Sequence, residues 1–459
     1  FHIQTLAFYK DFFAADVRVI KKNLLTLYQN SDNMSTKRFI KTILILFTAL
    51  TVQAQKMNVH LKDGQTIVYD VDKIDFIDFT ETDQEQELTA DRTVLVYMSG
   101  ENSLYDFIDS DMNEMKTGSK KIGDNNLLVY VDRGRTQELP WLARIRNGEI
   151  VDKVTISEMG ISEKDEYATD PKVMEAVVSY AFSRYPAKNQ DYGLVLWGHA
   201  SGWLLEDSVA VGARQRAYGI DNGKNTASDS GKWINIPTLA SVLSKLPHLS
   251  FIFADCCNFQ CLENAYELRQ VTDYLIGSPA EIPGDGAPYD TVVPVMFEPT
   301  AFPRAIVDRY FAQKSMGLEV PLSVIRTDRL ENLAAATREA LRTIVPGFGG
   351  ELPNMDGLIH YYFTYRYYDA NDFMLKYLPA TDYTVWKNAL DQAVSYKKMA
   401  TMWQTNRQWD SNYGDFTVTE ARYGGASMYI PQTADYTHYQ ETIKKMAWYH
   451  AAGYQEAGW

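Results

Sequence analysis

Short, largely apolar runs recur through the middle of this chain and constrain its fold more than any other feature. They lie at 93–98, 127–131, 193–197, 249–253 and 273–277. A strand covered on both faces is apolar throughout, whereas a half-exposed strand alternates apolar and polar residues. The pattern therefore predicts an α/β fold, with a mostly parallel sheet and helices on both of its faces.

Three segments between these runs carry helix signals. Residues 104–115 follow a polar turn at 101–103, and residues 262–268 follow a polar loop. The third segment begins at Asp170-Pro171, which combines an N-cap residue with a proline at the first helical position, and runs to about residue 184. Helices in these places would cover the predicted sheet.

Residues 34–54 have the order of a secretory signal peptide. Basic residues follow Met34, an apolar run spans 42–52, and small side chains precede the expected cleavage after Ala54. The apolar run is shorter than the roughly 20 residues that a membrane span needs. We therefore expect an exported product, periplasmic, cell-surface or secreted, and we interpret residues 1–33 as a non-native upstream extension.

The expected mature chain divides into three parts. Residues 55–90 form a small β module and linker, because alternating residues flank an Asp63-Gly64 turn and a second alternation follows at 74–79. Residues 91–345 hold the apolar runs, and residues 346–459 form an aromatic-rich C-terminal subdomain.

Charge narrows the range of partners. Residues 1–54 hold seven Lys/Arg and three Asp/Glu, so the remainder has 38 basic and 56 acidic residues, a net charge near −18. A surface this acidic argues against nucleic acid and anionic membranes as partners. It would attract basic polypeptides, although solubility explains the charge equally well, and nothing in the sequence indicates the oligomeric state.

All three cysteines, Cys256, Cys257 and Cys261, fall within six residues. An exported protein that used disulfides as braces would spread its cysteines along the chain. A bridge across so short a span would also constrain little chain entropy. We therefore expect these cysteines to be retained for reactivity.

Two loops with reactive side chains follow successive predicted strands. His199 lies between glycines after the third apolar run, and Cys257 lies after the fourth, ahead of the 262–268 helix. A helix N-terminus favours a thiolate, and a nearby imidazole can take the thiol proton and later protonate a leaving amine. Taken singly, such residues are usually structural. Together, at the ends of parallel strands where active sites form, they predict a catalytic pair.

Position selects His199 from the seven histidines. His248 precedes the strand that leads to Cys257, so it should lie at the opposite edge of the sheet. The others lie outside strand-end loops: His2, His60, His360, His438 and His450.

Over about residues 91–459 the chain resembles the clostripain family of cysteine peptidases, relatives of caspases, legumains and gingipains. The spacing of the family's Asp-x-Cys segment identifies Cys257 as the nucleophile and leaves Cys256 at the variable middle position. The matching segments are Gly198-His199 with Gly202, Asp255-Cys256-Cys257 with 263–268, 94–102, 283–286 and the region near 427.

The resemblance implies a caspase-like sheet, a peptidase domain at 91–345, and a Cys257–His199 dyad with no obligatory third member. It also implies cleavage after a basic P1 residue, for which Asp255 would supply the S1 carboxylate. Asp285 is a second candidate for that pocket, with loop capping nearly as good an explanation. The oxyanion would be held by the backbone N–H groups of Cys257 and Ala200, although Ala200 stands where glycine is frequent in the family.

Family members are often cut between their two catalytic segments. Here that interval includes a polar stretch at 212–231, in which Arg214, Arg216 and Lys224 are the candidate self-cleavage sites. We expect no cofactor and no metal site, and the acidic residues are too numerous to single out a calcium site.

Two other functions stay open on the sequence alone. Zinc could be held by the cysteines with His248 or His199, although only Cys257 and Cys261 have a zinc-type spacing. Alternatively, a non-catalytic cell-surface protein could retain the fold and bind peptide or glycan, since the chain has 30 tyrosines and nine tryptophans.

Overall fold

The computed structural model describes residues 56–60, 66–70 and 88–459, with gaps at 137, 163–166, 206–216, 224–230, 315–317, 363–366, 404–415 and 433–436. The chain divides into two compact units, 1–82 and 83–459, and each is described by itself. The predicted signal peptide, the upstream extension, the 74–79 alternation, Arg214, Arg216 and Lys224 lie outside the described residues.

The first unit contains strands β1 (Lys56–His60) and β2 (Thr66–Asp70). They pair in antiparallel fashion, with Val59 opposite Ile67. This confirms the predicted hairpin pairing, while the Asp63-Gly64 turn falls outside the described residues.

The second unit is built on strands that follow the predicted apolar runs closely. In chain order they are β3 (Thr93–Gly100), β4 (Asn126–Arg133), β5 (Trp141–Arg146), β6 (Glu149–Thr155), β7 (Tyr192–Trp197), β8 (Tyr218–Asp221), β9 (Lys232–Ile234), β10 (Leu249–Asp255), β11 (Thr272–Gly277), β12 (Leu322–Arg326), β13 (Tyr368–Asp369), β14 (Val394–Lys398) and β15 (Ser427–Met428).

Nine of these strands form one sheet in the order β14-β12-β11-β10-β7-β3-β4-β5-β6. The central five, from β11 to β4, are parallel, and the outer strands on both sides are antiparallel to their neighbours. The predicted mostly parallel sheet is therefore confirmed, with antiparallel additions that the apolar runs did not reveal. Two short pairs, β8–β9 and β13–β15, lie outside it.

The helices connect these strands. They are α1 (Ile108–Ser119), α2 (Pro171–Arg184), α3 (Ile236–Leu243), α4 (Leu262–Leu268), α5 (Tyr289–Met296), α6 (Phe302–Ala312), α7 (Leu330–Ile344), α8 (Ala370–Tyr377), α9 (Ala380–Ala393), α10 (Thr437–Ile443), α11 (Ala447–Ala451) and α12 (Tyr454–Ala457). Single 3₁₀ turns occur at Ile156–Met159, Lys188–Gln190, Thr327–Arg329 and Val345–Phe348.

Two of the three helix predictions hold at both ends. Helix α4 has the predicted bounds, and α2 begins at Pro171 with the Asp170 side chain accepting a hydrogen bond from the Lys172 N–H at 2.8 Å. Helix α1 instead begins at Ile108, four residues later than predicted. The Asn102 side chain accepts the Leu104 N–H and so holds the preceding residues in turns.

The core lies on both faces of the sheet. Along β3, Val94 and Val96 belong to a cluster that includes residues of α1, α5 and α6, whereas Leu95 and Tyr97 belong to a second cluster with residues of α2, α3, α4 and α7. Because successive side chains of a strand point to opposite faces, this division confirms helical cover on both sides.

The C-terminal part adds to the same unit. Strand β14 extends one edge of the main sheet, and Trp386, Trp403 and Trp448 are buried in the core. Among the described residues, the helices lack the combination of length and apolarity that crossing a membrane requires.

Candidate active site

The two loops predicted to react lie at one edge of the sheet. Strands β7 and β10 are adjacent and parallel, with Trp197 opposite Asp255. His199 lies two residues beyond Trp197, and Cys257 lies two residues beyond Asp255. Both side chains are therefore carried past the carboxyl ends of neighbouring strands.

The histidine loop begins with a turn that only glycine adopts readily. Gly198 has φ +147°, and a Cβ at this position would lie 3.0 Å from the Ser99 carbonyl oxygen of β3. The missing side chain lets the chain leave β7 close against the neighbouring strand, where it presents His199.

Strand β8 holds the backbone of this loop. The His199 carbonyl accepts the Gly219 N–H at 2.8 Å, and the Ser201 N–H donates to the Ala217 carbonyl at 3.0 Å. These two bonds flank Ala200, whose own N–H takes no part in the ladder and is directed away from β8.

The imidazole contacts side chains from two other segments. Its Nε2 lies 2.9 Å from the Ser103 hydroxyl, in the loop after β3. Its ring centre lies 6.4 Å from that of Trp233 in β9. Ser103 was not singled out from the sequence, where it is an ordinary polar residue in a turn.

The three cysteines differ in exposure. Cys256 and Cys261 are buried, and burial raises the pKa of both thiols well above the ordinary value. Cys257 is partly exposed, and its Sγ lies 3.8 Å from the Ile282 carbonyl oxygen. Burial makes Cys256 and Cys261 poor nucleophiles, so the expected reactivity applies to Cys257.

Helix α4 follows the Cys257 loop in the chain. Helix α4 begins at Leu262 with Cys261 as its N-cap, so the helix N-terminus is adjacent to Cys261 in the chain. Cys257 precedes this N-cap by four residues in the chain. What holds the nucleophile loop is Asn258, at φ +54°, whose N–H and side chain donate to carbonyls of 279–280 at 2.9 and 3.0 Å.

Asp255 lies at the end of β10 and is buried. Its carboxylate accepts the Tyr289 hydroxyl at 2.8 Å, the Ala287 N–H at 3.1 Å and the Tyr310 hydroxyl at 3.2 Å. Burial raises its pKa to about 6, against the lowering effect of these three donors. The segment that supplies the Ala287 N–H is the one whose Ile282 carbonyl faces the Cys257 thiol.

Asp255 interacts electrostatically with two further carboxylates. Asp285, which is exposed, raises the pKa of Asp255 by charge repulsion. Asp111 of α1 is buried and accepts the Trp197 indole N–H at 2.6 Å. Burial first, and then the charge of Asp255, raise the pKa of Asp111 to about 8. This part of the molecule is therefore strongly acidic, and Asp111 is a contributor that the sequence analysis missed.

A residue of the C-terminal part supports the histidine loop. The Tyr367 hydroxyl donates to the Ser201 carbonyl at 2.6 Å. Gly202 has φ +57°, and a Cβ there would lie 2.7 Å from the Tyr367 ring and 2.8 Å from the Asn258 carbonyl oxygen. The loop that carries His199, the loop that carries Cys257 and Tyr367 thus meet at Gly202. The sequence offered no signal for this contact.

The described residues give no support to a cysteine–zinc site. The one group of three or more potential ligands found among them is Glu101, Asp132 and Asp221, whose carboxylate oxygens lie within 4.8 Å of one another. His248 lies at the amino end of β10, as predicted, with its Nε2 2.9 Å from Asp273. It is therefore at the opposite edge of the sheet from Cys257.

Comparisons with known proteins bear on the family and the fold. A sequence model of the clostripain family matches residues 96–459. The clostripain of Hathewaya histolytica is 23% identical over 220 residues, which span 44% of this chain and 41% of that protein. The match thus covers less than half of that relative's length.

Solved structures give a longer match. A secreted C11 cysteine protease from Bacteroides thetaiotaomicron, in complex with an irreversible peptide inhibitor, is 30% identical with a TM-score of 0.65, over 80% of this chain and 100% of that one. An inactive zymogen C11 protease from Parabacteroides distasonis is 27% identical with a TM-score of 0.61, over 79% of this chain and 98% of that one. The likeness confirms the predicted caspase-like α/β fold.

Proposed function

This chain belongs to the clostripain family of cysteine peptidases, and from that premise we propose that it is an exported endopeptidase that cleaves polypeptides after arginine or lysine. Cys257 is the nucleophile and His199 its acid–base partner. The observation that carries the proposal is the placement of both residues beyond the ends of adjacent parallel strands, with Cys257 the one partly exposed member of the cysteine trio.

In the proposed mechanism, His199 takes the proton of the Cys257 thiol, and the thiolate sulfur attacks the carbonyl carbon of the scissile bond. The protonated imidazole gives this proton to the leaving amine as the C–N bond breaks, which leaves a thioester on Cys257. Water then attacks the thioester carbon, and His199 transfers a proton from that water to the departing sulfur. The peptide acid is released and the thiol is restored.

The oxyanion of each tetrahedral intermediate needs backbone donors, and the Ala200 and Cys257 N–H groups fill that role in this proposal. The direction of the Ala200 N–H, away from β8, supports it. A single preorganised donor of this type contributes about 2.7–4 kcal/mol to the transition state.

The preference for a basic P1 residue rests on the acidic surroundings of Asp255. Burial first, and then charge repulsion from Asp285 on Asp255 and from Asp255 on Asp111, raises the pKa of the two buried carboxyls. A guanidinium or ammonium that bound beside them would offset that repulsion. Asp255 is the proposed principal S1 carboxylate, and the exposed Asp285 the second.

Export and self-activation complete the proposal. The signal-peptide pattern at 34–54 supports export, and the relative from Bacteroides thetaiotaomicron is described as secreted. Cleavage after Arg214, Arg216 or Lys224 would separate the His199 and Cys257 segments into two chains held by the common sheet. N-terminal sequencing of the wild type and of Cys257→Ala tests this step, since identical fragments from both proteins would exclude self-cleavage.

The main test uses fluorogenic peptides that differ only at P1, with Arg, Lys, Leu or Glu. We expect the wild type to cleave the Arg and Lys peptides, and Cys257→Ala to cleave none. Cys256→Ala is the matched control, because it removes the neighbouring thiol and should retain activity. An electrophilic arginine peptide should modify Cys257, as located by mass spectrometry. Cleavage by Cys257→Ala at the wild-type rate, or an adduct on Cys256, would contradict the proposal.

A further inference from the structure

We infer that Ser103 is a third, positioning member of the active site, which holds the His199 imidazole so that its Nδ1 exchanges protons with the Cys257 thiol. This inference rests on the proposed function and extends it, because that mechanism uses a dyad alone. The contact that carries it is the 2.9 Å separation between the Ser103 hydroxyl and His199 Nε2.

Strand β8 fixes the position of the Ser103 loop relative to the His199 loop. The Asn102 side chain, next to Ser103, donates to the Ile220 carbonyl of β8 at 2.8 Å and to the Ser99 carbonyl at 2.9 Å. The adjacent residue of β8, Gly219, donates its N–H to the His199 carbonyl at 2.8 Å. Neighbouring residues of one short strand therefore set the separation of hydroxyl and imidazole.

The rest of the Ser103 loop is also bound in place. The Asn102 side-chain oxygen accepts the Leu104 N–H at 2.9 Å. The side-chain amide of Asn102 is buried, and its hydrogen bonds therefore reach residues both before and after Ser103 in the chain. The Asn222 side chain donates to the Glu101 carbonyl at 2.9 Å and ties the start of the loop to the residue after β8. An exposed serine is usually held less firmly than this.

The chemistry of imidazole gives this contact a function. A neutral imidazole that is to accept a proton at Nδ1 carries its own proton on Nε2, and so does the imidazolium. The Ser103 oxygen can therefore accept the Nε2–H bond throughout acylation, while Nδ1 gains the thiol proton and passes it to the leaving amine. Loss of that acceptor would weaken the preference for the tautomer that carries its proton on Nε2.

The expected effect falls on the chemical step. Loss of a hydrogen bond to a charged partner corresponds to about a 10- to 150-fold change in rate. Ser103 does not touch the substrate in this scheme, so KM should change by less than about twofold while kcat takes the loss.

The test compares Ser103→Ala, Ser103→Thr and Ser103→Val in the full chain with an arginine peptide. Threonine keeps the hydroxyl, and valine has nearly the same shape without it. We expect Ser103→Ala and Ser103→Val to lose kcat by about 10- to 150-fold at unchanged Tm, and Ser103→Thr to stay within about threefold of wild type. A Ser103→Val enzyme with wild-type kcat, or a Ser103→Thr enzyme as slow as Ser103→Ala, would overturn the inference.

A second readout separates this inference from the proposed substrate class. The rate at which iodoacetamide alkylates Cys257 reports how the imidazole acts on the thiol and needs no peptide. We expect it to fall in Ser103→Ala and Ser103→Val and to persist in Ser103→Thr. If the wild type cleaves no arginine or lysine peptide, the proposed specificity fails, and the alkylation rates still decide the role of Ser103: equal rates in wild type and Ser103→Val would exclude it.

Discussion

Replacement of Asp255 by asparagine should make the protein more stable above pH 6 and less active on arginine peptides. Burial raises the pKa of Asp255 from 3.8 to about 6, so the folded protein binds this proton more tightly than the unfolded chain does. Between about pH 4 and pH 6 the wild type therefore loses stability as pH rises, and the loss persists at higher pH.

The size of this effect follows from the shift. About two pK units correspond to about 3 kcal/mol at 1.36 kcal/mol per unit. Asparagine does not titrate, and it can keep all three contacts: its oxygen accepts the Ala287 N–H and the Tyr289 hydroxyl, and its amide donates to the Tyr310 hydroxyl oxygen. The asparagine variant should thus match the wild type near pH 4 and exceed it by up to about 3 kcal/mol at pH 8.

Urea unfolding at pH 4, 5, 6, 7 and 8 measures this difference, in a Cys257→Ala background that prevents self-digestion. Activity is measured with the catalytic cysteine present. For Asp255→Asn, kcat/KM for an arginine peptide should fall by about 10- to 150-fold, whereas cleavage of the uncharged citrulline analogue should change little. A stability difference that is the same at pH 4 and pH 8, or an undiminished preference for arginine over citrulline, would refute the reasoning.

Asp369 provides a matched control outside the proposed site. It is equally buried, accepts the Tyr361 hydroxyl at 2.5 Å, the Gly424 N–H at 2.8 Å and the Asp372 N–H at 3.0 Å, and has a pKa raised to about 6 by burial. Asp369→Asn should show a similar gain in stability with rising pH and unchanged kcat/KM. A drop in arginine cleavage in this variant would mean that activity follows stability rather than S1 charge.

Three further changes test other contacts. Gly202→Ala would place a Cβ 2.7 Å from the Tyr367 ring at φ +57°, so it should destabilise the fold by clearly more than the roughly 1–2 kcal/mol of backbone strain alone. Gly349→Ala, at φ +61° with no described atom within 4 Å, should cost only that strain. Equal losses of unfolding free energy for the two variants in urea would contradict the steric argument. Tyr367→Phe removes the 2.6 Å bond to the Ser201 carbonyl and should cost about 1 kcal/mol and lower kcat, and an unchanged kcat would show that the histidine loop does not depend on it. Asp111→Asn should gain stability over the wild type as pH rises from about 4 to about 8, because burial raises this pKa to about 8; a difference in Tm that does not vary with pH would exclude that origin.

Much of the fold could be predicted because a strand that is buried on both faces leaves a local signal in the sequence, a short run of apolar residues. The apolar runs match β3, β4, β7, β10 and β11, since strands covered on both faces have no polar alternation. The antiparallel additions could not be predicted in the same way. Strand β6 of the sheet is mostly exposed, and in the separate pair β13–β15 each strand has only two residues, too few for any periodicity.

The sequence by itself determined that His199 and Cys257 follow strands of one parallel sheet, and parallel strands carry their carboxyl ends to one edge. Only the tertiary structure decided which cysteine is exposed, that three donors surround Asp255, and that Ser103 meets the imidazole. The reason is physical: His199 and Ser103 are 96 residues apart, and they touch because β3 is the neighbour of β7. Strand order is set by the packing of the whole unit, and no local pattern of residues records it.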